Sequence, residues 1–135
     1  MRKIDVFFYG LFMDEALLRA KGITSPNLRV AFVPGFQLRI GNRATLVPAP
    51  AERVFGVVAS LAHSELERLY SEPSVQAYKS EAVLAHLLNG EILAVLCFNL
   101  VESPSADEHN AEYATKLRAL AAQLQFPPDY VSSLQ

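Results

Sequence analysis

Short apolar blocks separated by glycine and proline run through most of this chain. Blocks rich in β-branched and aromatic residues predict strands at 4–9, 28–33, 36–40, 44–47, 53–61, 78–88 and 92–101. Asn89-Gly90 between the last two predicts a two-residue hairpin turn. Breaks at Pro34-Gly35 and at 48–50 are expected to end the strands before them.

Helical spacing is confined to a few segments. Asp14 opens a short helix over 14–21, which Gly22 ends. Ser64 with Glu67, and Ser105 with Glu108, have the spacing of capping boxes and predict helices over 64–70 and 105–124. A final turn is expected at 129–134.

The order of these elements predicts the fold class. A doubly wound parallel sheet needs strands alternating with helices of ~10 to 15 residues, and these are absent between most of the predicted strands. We therefore expect an α+β fold: a mixed, largely antiparallel small β-barrel or sheet with two to three short helices. The length, 135 residues, predicts a single domain over 1–135.

Composition excludes several functional classes. With 51% hydrophobic residues and a net charge of −2, the chain does not have the composition of a disordered protein. The same charge, with no long Lys/Arg cluster, argues against binding to nucleic acid. No apolar run reaches the ~18 residues of a membrane span, and Asp5 interrupts any leader-like stretch at the N-terminus. Cys97 is alone and cannot form an internal disulfide.

Familiar catalytic motifs are missing, and two candidate features remain. Neither a metal-ligand cluster, a Gly-x-Ser-x-Gly elbow nor a phosphate-binding glycine loop is present. One remaining feature is Tyr9-Gly10-Leu11-Phe12, a glycine turn before a helix, whose outward N–H groups suit a carboxylate. The other is Glu72, a carboxylate that its apolar neighbours could partly desolvate, as suits a general acid or base; the alternative is a loop glutamate in water.

Several segments form an ordered set over most of the chain. They are the strand and Tyr-Gly turn at 6–10, the Pro-Gly-aromatic-x-Leu segment at 34–38, the Val-aromatic-Gly-Val strand at 54–57, Glu72 followed by Tyr78, and Pro104-Ser105 with Tyr113 and Tyr130. In order and spacing this set resembles the gamma-glutamyl cyclotransferase-like family of small α+β proteins. Two departures stand out. Leu11 and Phe12 replace a hydroxyl residue and its neighbour after the glycine, and Tyr70-Ser71 stands where many members have another acid.

The resemblance implies an enzyme that needs neither cofactor nor metal. The α-amino group of a γ-glutamyl amine or peptide would attack its own side-chain amide, releasing 5-oxoproline and a free amine. Glu72 would be the general acid and base, while the turn Tyr9, Gly10, Leu11 and Phe12 would bind substrate, and Tyr78 and Tyr113 would line the pocket.

The same resemblance implies a cytoplasmic monomer or homodimer that acts on a small molecule and contacts neither membrane nor nucleic acid. The departure at Leu11-Phe12 leaves open an alternative, a non-catalytic domain that binds a small carboxylate. A third possibility is an interaction module with an exposed apolar face, which would explain why only 19% of residues are charged.

Overall fold

A computed structural model describes residues 2–135. Five strands carry the fold: β1 (Lys3–Phe8), β2 (Arg29–Ile40), β3 (Ala44–Ala62), β4 (Tyr78–Leu87) and β5 (Ile92–Leu100). Four helices accompany them, where two or three were expected: α1 (Glu15–Ala20), α2 (His63–Leu69), α3 (Ala111–Gln123) and α4 (Pro128–Ser133). A single 3-10 turn, Leu11–Met13, separates β1 from α1.

The strands close into a ring in the order β1-β3-β2-β4-β5. Neighbours are antiparallel except where β5 returns beside β1, with Val6 opposite Leu96 and Phe7 opposite Cys97. This confirms the mixed, largely antiparallel α+β prediction. The ring can close because β3, at 19 residues, pairs with β2 along its first part and with β1 near its end.

Proline does not end strands where the sequence predicts it. The segments 28–33 and 36–40 form the single strand β2, and 44–47 and 53–61 form β3. The register between β2 and β3 shifts between Pro34 and Phe36, where Gly35 has φ +87. A bulge leaves ladder positions without hydrogen bonds, so prolines that lack an N–H group are tolerated there.

Three local predictions about turns and caps are also wrong. The β4–β5 turn has three residues, because Leu87 N–H donates to Glu91 O and Gly90, at φ +95, donates to Leu87 O. Helix α2 begins one residue before the predicted start. Its capping carboxylate is Glu65, which accepts from Ala62 N–H, where Ser64 and Glu67 were expected to form the cap. Ser105 and Glu108 do bond, but Glu108 also accepts from Asn42 N–H on the β2–β3 hairpin, so α3 begins only after Asn110.

The core fills the ring and continues beneath the C-terminal helices. Phe7 of β1 and its partner Val58 on β3 share the inner face of the sheet with Val54, and each is at most 1% exposed. On the outside, Phe55 packs its ring against Phe126 and Tyr130, which fixes the segment after α3 on the sheet. Leu117 and Ala121 of α3 belong to this core, and Leu120 and Leu124 pack against it.

Two buried polar side chains join β3 to β5, which are not neighbours in the ring. Leu46 N–H donates to the Asn99 side chain at 3.3 Å, and Leu100 N–H donates to Thr45 Oγ1 at 2.9 Å. Each side chain accepts a hydrogen bond from a backbone N–H group of the other strand, so neither of these two N–H groups is buried without a partner. The pair holds the β2–β3 hairpin beside the end of β5, and this forms one wall of the cavity described below.

Cys97 is completely buried in β5. Burial raises the pKa of the thiol to about 12, with Glu81 adding to the shift and the Asn99 side chain opposing it. A thiol with so high a pKa is a poor nucleophile at neutral pH. Within residues 2–135, no helix has the length and apolar character needed to cross a membrane.

Candidate functional site

A cavity of about 490 Å³ opens at one end of the strand ring. Its walls are the ends of β1 and β5, the 3-10 turn, the start of β3, the segment between α2 and β4, and Tyr113 of α3. All of the residues proposed from the sequence for the site, namely Tyr9, Gly10, Leu11, Phe12, Glu72, Tyr78 and Tyr113, line this one cavity. The space suits a small ligand.

The turn after β1 is held by its own backbone. Met13 N–H donates to Gly10 O at 3.0 Å and Asp14 N–H to Leu11 O at 3.0 Å. The Asp14 side chain then caps α1 by accepting from Ala16 N–H. Because α1 has only six residues and its first turn is capped in this way, the helix does not supply the anion-binding end that the sequence suggested.

Gly10 is required by close packing and not by its backbone angles. Its φ is −117, which any residue adopts, but a Cβ at this position would overlap the Tyr113 hydroxyl. Burial raises the pKa of Tyr113, and the nearby Leu11 amide partly offsets this. Leu11 lacks the hydroxyl that the related motif carries, and α3 brings the Tyr113 hydroxyl to the same turn.

This packing gives a prediction for the free energy of unfolding. Gly10→Ala should destabilise the protein by about 1–3 kcal/mol, the usual cost of overpacking. In a Tyr113→Phe background the same change should cost little, because the next ring atom lies 3.6 Å from the added Cβ. Urea unfolding of the four proteins measures this coupling. An equal cost in both backgrounds would show that Tyr113 does not constrain the turn.

Glu72 lies where the cavity meets solvent. After α2, Pro73 prevents the helix from continuing, and the chain turns, with Val75 N–H donating to Glu72 O at 3.0 Å. The Glu72 side chain is 42% exposed, and its Oε1 lies 2.6 Å from Nζ of Lys21. The carboxylate therefore has a cationic partner that the sequence analysis did not identify.

Tyr70, two residues before Glu72, reaches the interior of the cavity instead. Its ring stacks on Phe98 with centroids 3.9 Å apart and meets Phe12 edge-on at 5.8 Å. Burial is the main cause of the raised pKa of Tyr70, and nearby Cys97 adds to it. Tyr70 is thus a neutral, fixed phenol over the physiological pH range.

The other two tyrosines of the cavity use their hydroxyls in the scaffold. Tyr9 donates to Phe98 O at 2.7 Å, and Tyr78 donates to Ala44 O. Burial raises the pKa of Tyr78 to about 12, and it also raises the pKa of Tyr9. Both rings line the cavity, so they present aromatic faces while their hydroxyls join β1 to β5 and β4 to β3.

The cavity residues that sequence reasoning missed include Lys21, Arg43, Tyr70 and Phe98. Tyr70 was noted only as a departure from a related motif, and Lys21 only as the end of a helix. A useful signal was available in Tyr70 and Tyr78, the aromatic residues on both sides of Glu72-Pro73. Nothing local marks Lys21 or Arg43, because their role depends on chain segments far away in sequence.

Comparisons with family models and with curated proteins find no match for this chain. Among solved structures, one described as gamma-glutamyl cyclotransferase has a TM-score of 0.81 at 21% identity, covering 98% of this chain and 86% of that one. An uncharacterized protein from Homo sapiens gives 0.84 at 20% identity, covering 99% and 87%. An AIG2-like protein from Mus musculus gives 0.59 at 15%, covering 83% and 91%. The chain therefore has the gamma-glutamyl cyclotransferase-like fold expected from its motifs.

Proposed function

We propose that this protein converts a γ-glutamyl amine or peptide to 5-oxoproline and a free amine, with Glu72 as general acid and base. The observation that carries the proposal is that Glu72 and the turn from Tyr9 to Phe12 line the same cavity. A carboxylate beside a turn with backbone donors provides a proton acceptor and a binding site for an anionic group within reach of one small substrate.

The reaction is an intramolecular acyl transfer. Glu72 takes one proton from the α-ammonium group, and the freed amine attacks the γ-carbonyl carbon. A bond forms between that carbon and the α-nitrogen, and the bond to the leaving nitrogen breaks. Glu72 returns its proton to the leaving nitrogen, and the second proton lost by the α-nitrogen makes the released amine an ammonium ion at neutral pH. No redox change occurs, so the chemistry calls for no cofactor.

The remaining cavity residues act by position. Backbone N–H groups of the turn Tyr9, Gly10, Leu11 and Phe12 bind the substrate's α-carboxylate and stabilise negative charge that develops on the carbonyl oxygen. The rings of Tyr78 and Tyr113 hold the substrate folded so that its amine lies next to its own amide. Because nucleophile and electrophile belong to one molecule, fixing this conformer provides a large part of the acceleration.

A second candidate is a non-catalytic domain that binds a small carboxylate. It is favoured by the ion pair between Glu72 and Lys21, which occupies the only carboxylate among the residues lining the cavity. It is also consistent with the interior, where Tyr70 is a neutral phenol and not an acid.

A substrate panel separates the two candidates. The purified protein is incubated with γ-glutamyl amines and γ-glutamyl dipeptides, and 5-oxoproline is followed by liquid chromatography. The cyclotransferase proposal expects release of 5-oxoproline together with an equal amount of amine. Binding of panel members by calorimetry without any 5-oxoproline would instead support the binding domain.

A further inference from the structure

Among the described residues, two ion pairs join residues that do not share a helix: Arg29–Asp5, which lies outside the cavity lining, and Lys21–Glu72. Arg19–Glu15, His63–Glu67 and Lys116–Glu112 each join residues four apart on one helix, with side chains 48% to 80% exposed. Lys21–Glu72 joins residues 51 apart and lies in the cavity wall, where the Lys21 side chain is only 24% exposed. The pairs within one helix contribute little to stability and need no functional explanation.

The local structure directs Lys21 into the cavity. Lys21 follows the last residue of α1, and Gly22, at φ +88, turns the chain away immediately afterwards. Its backbone is fixed because its N–H group donates to Leu17 O and Leu18 O. The long, flexible side chain extends from this fixed point, so its ammonium can move by a few ångströms while the backbone stays in place.

We propose that Lys21 and Glu72 form a clamp for the charged end of an α-amino acid, the Lys21–Glu72 clamp. The substrate's α-ammonium replaces Lys21 as the partner of the Glu72 carboxylate, and Lys21 turns to the substrate's α-carboxylate. This inference rests on the proposed function and specifies how the same site selects its substrate. The turn at Gly10 then donates to the same carboxylate from its other side.

The charges of Lys21 and Glu72 are both paired only when the ligand carries an α-ammonium and an α-carboxylate. In the free protein the two side chains neutralise each other, and with a zwitterion bound there are two ion pairs and no unpaired charge. A ligand with only the carboxylate leaves Glu72 without a cation, and one with only the ammonium leaves Lys21 without an anion. An unpaired charge in a partly buried wall is costly, so the clamp favours an α-amino acid over either singly charged analogue.

The exchange also gives Glu72 access to the proton it must take. While Lys21 occupies Oε1 at 2.6 Å, no substrate group can form its own hydrogen bond from that side. When the α-ammonium replaces Lys21, the proton to be transferred points at the carboxylate. Lys21 is in this respect a positioning residue, because it acts on the substrate's carboxylate and on Glu72 and not on the reacting carbonyl.

Three small probes test the clamp without requiring turnover. L-glutamine carries both charged groups, 4-aminobutyramide lacks the α-carboxylate, and glutaramate lacks the α-ammonium. Calorimetry should show that the wild-type protein binds L-glutamine at least tenfold more tightly than either analogue, the range expected for hydrogen bonds to charged groups. Equal binding of all three, or binding of none, would overturn the proposal.

Two variants should then lose opposite halves of this preference. Lys21→Met should reduce the preference for L-glutamine over 4-aminobutyramide by about tenfold and keep the preference over glutaramate. Glu72→Gln should reduce the preference for L-glutamine over glutaramate and keep the preference over 4-aminobutyramide. Lys21→Arg should retain most of the wild-type pattern. Lys116→Met is the matched control, since Lys116 is exposed and paired on α3, and it should change nothing. A purely structural ion pair would instead weaken binding of all three probes equally.

The same set distinguishes failure of the clamp from failure of the proposed reaction. If γ-glutamyl compounds give no 5-oxoproline but the reciprocal pattern is seen, the reaction is wrong and the clamp stands. If 5-oxoproline is formed but Lys21→Met retains the wild-type preference over 4-aminobutyramide, the clamp is wrong and the reaction stands. Thermal melting of each variant establishes that it is folded before its binding is interpreted.

Discussion

Glu72→Gln should lower the rate of 5-oxoproline release by about 10²- to 10⁴-fold, the usual contribution of a positioned general acid or base. Glutamine has nearly the same shape and retains hydrogen bonding, but it neither accepts the proton of the α-ammonium nor returns one to the leaving nitrogen. The measurement is the initial rate of 5-oxoproline release from whichever γ-glutamyl compound the wild-type protein turns over fastest.

The control for this variant is Glu112→Gln. Glu112 is also a glutamate in an ion pair with lysine, but it is exposed on α3 and does not line the cavity. Its replacement should leave the rate within about twofold, since exposed pairs of this kind contribute little. If Glu72→Gln retained the wild-type rate while remaining folded, the acid and base would have to be another group, and the proposed mechanism would be wrong.

Gly56→Ala should produce the largest loss of stability among the single substitutions considered. A Cβ at Gly56 would overlap the carbonyl oxygen of Phe8 on β1, and it would lie 2.6 Å from the ring of Phe7. Phe8 O belongs to the backbone of β1, which pairs with both β3 and β5, and Phe7 is 1% exposed, so neither can move aside easily. We expect a loss of about 3 kcal/mol, at the upper end for overpacking.

Chemical denaturation measures this loss, with Glu52→Ala as the comparison on the same strand. Glu52 is exposed on β3, so its truncation should change the free energy of unfolding by no more than about 0.5 kcal/mol. Because Phe7 and Phe8 also line the cavity, the variant at Gly56 should weaken ligand binding as well. An unchanged denaturation midpoint for Gly56→Ala would mean that β1 and β3 leave room for a Cβ between them.

Strands, helices and the fold class were largely predictable because they follow from local patterns. The β-branched and aromatic block at 4–9 and the hairpin signal Asn89-Gly90 placed β1, β4 and β5 within a residue or two of their positions. The same reasoning failed at Pro34 and at Pro48, because a proline is tolerated where the partner strand makes no hydrogen bond to it. Whether that holds depends on the register of a second strand, which the residues around the proline do not specify.

The start of α3 also depends on tertiary contacts that the local sequence does not specify. Ser105 N–H does donate to the Glu108 carboxylate, but the Ser105 hydroxyl donates to that carboxylate as well and does not accept from Glu108 N–H. No helix begins here, and Glu108 also accepts from Asn42 N–H of a hairpin 66 residues earlier. The carboxylate holds this turn against the β2–β3 hairpin, and α3 starts at the next suitable cap, Asn110. A capping pattern therefore identifies a turn, and the tertiary contacts determine whether a helix follows it.

By itself, the sequence determined the α+β class, the strand content and the set of residues from Tyr9 to Tyr113 that meet at one cavity. The first two depend on hydrophobic periodicity and turn residues, which are properties of neighbouring residues. The set of cavity residues follows in part from the resemblance to the gamma-glutamyl cyclotransferase-like family, carried by motifs over most of the chain. Only the tertiary structure decided which groups of that set face one another. It paired Glu72 with Lys21, turned Tyr70 inward and brought the Tyr113 hydroxyl to Gly10. Electrostatic and packing partners depend on distance in space, and folding brings together side chains that lie 28 or more residues apart.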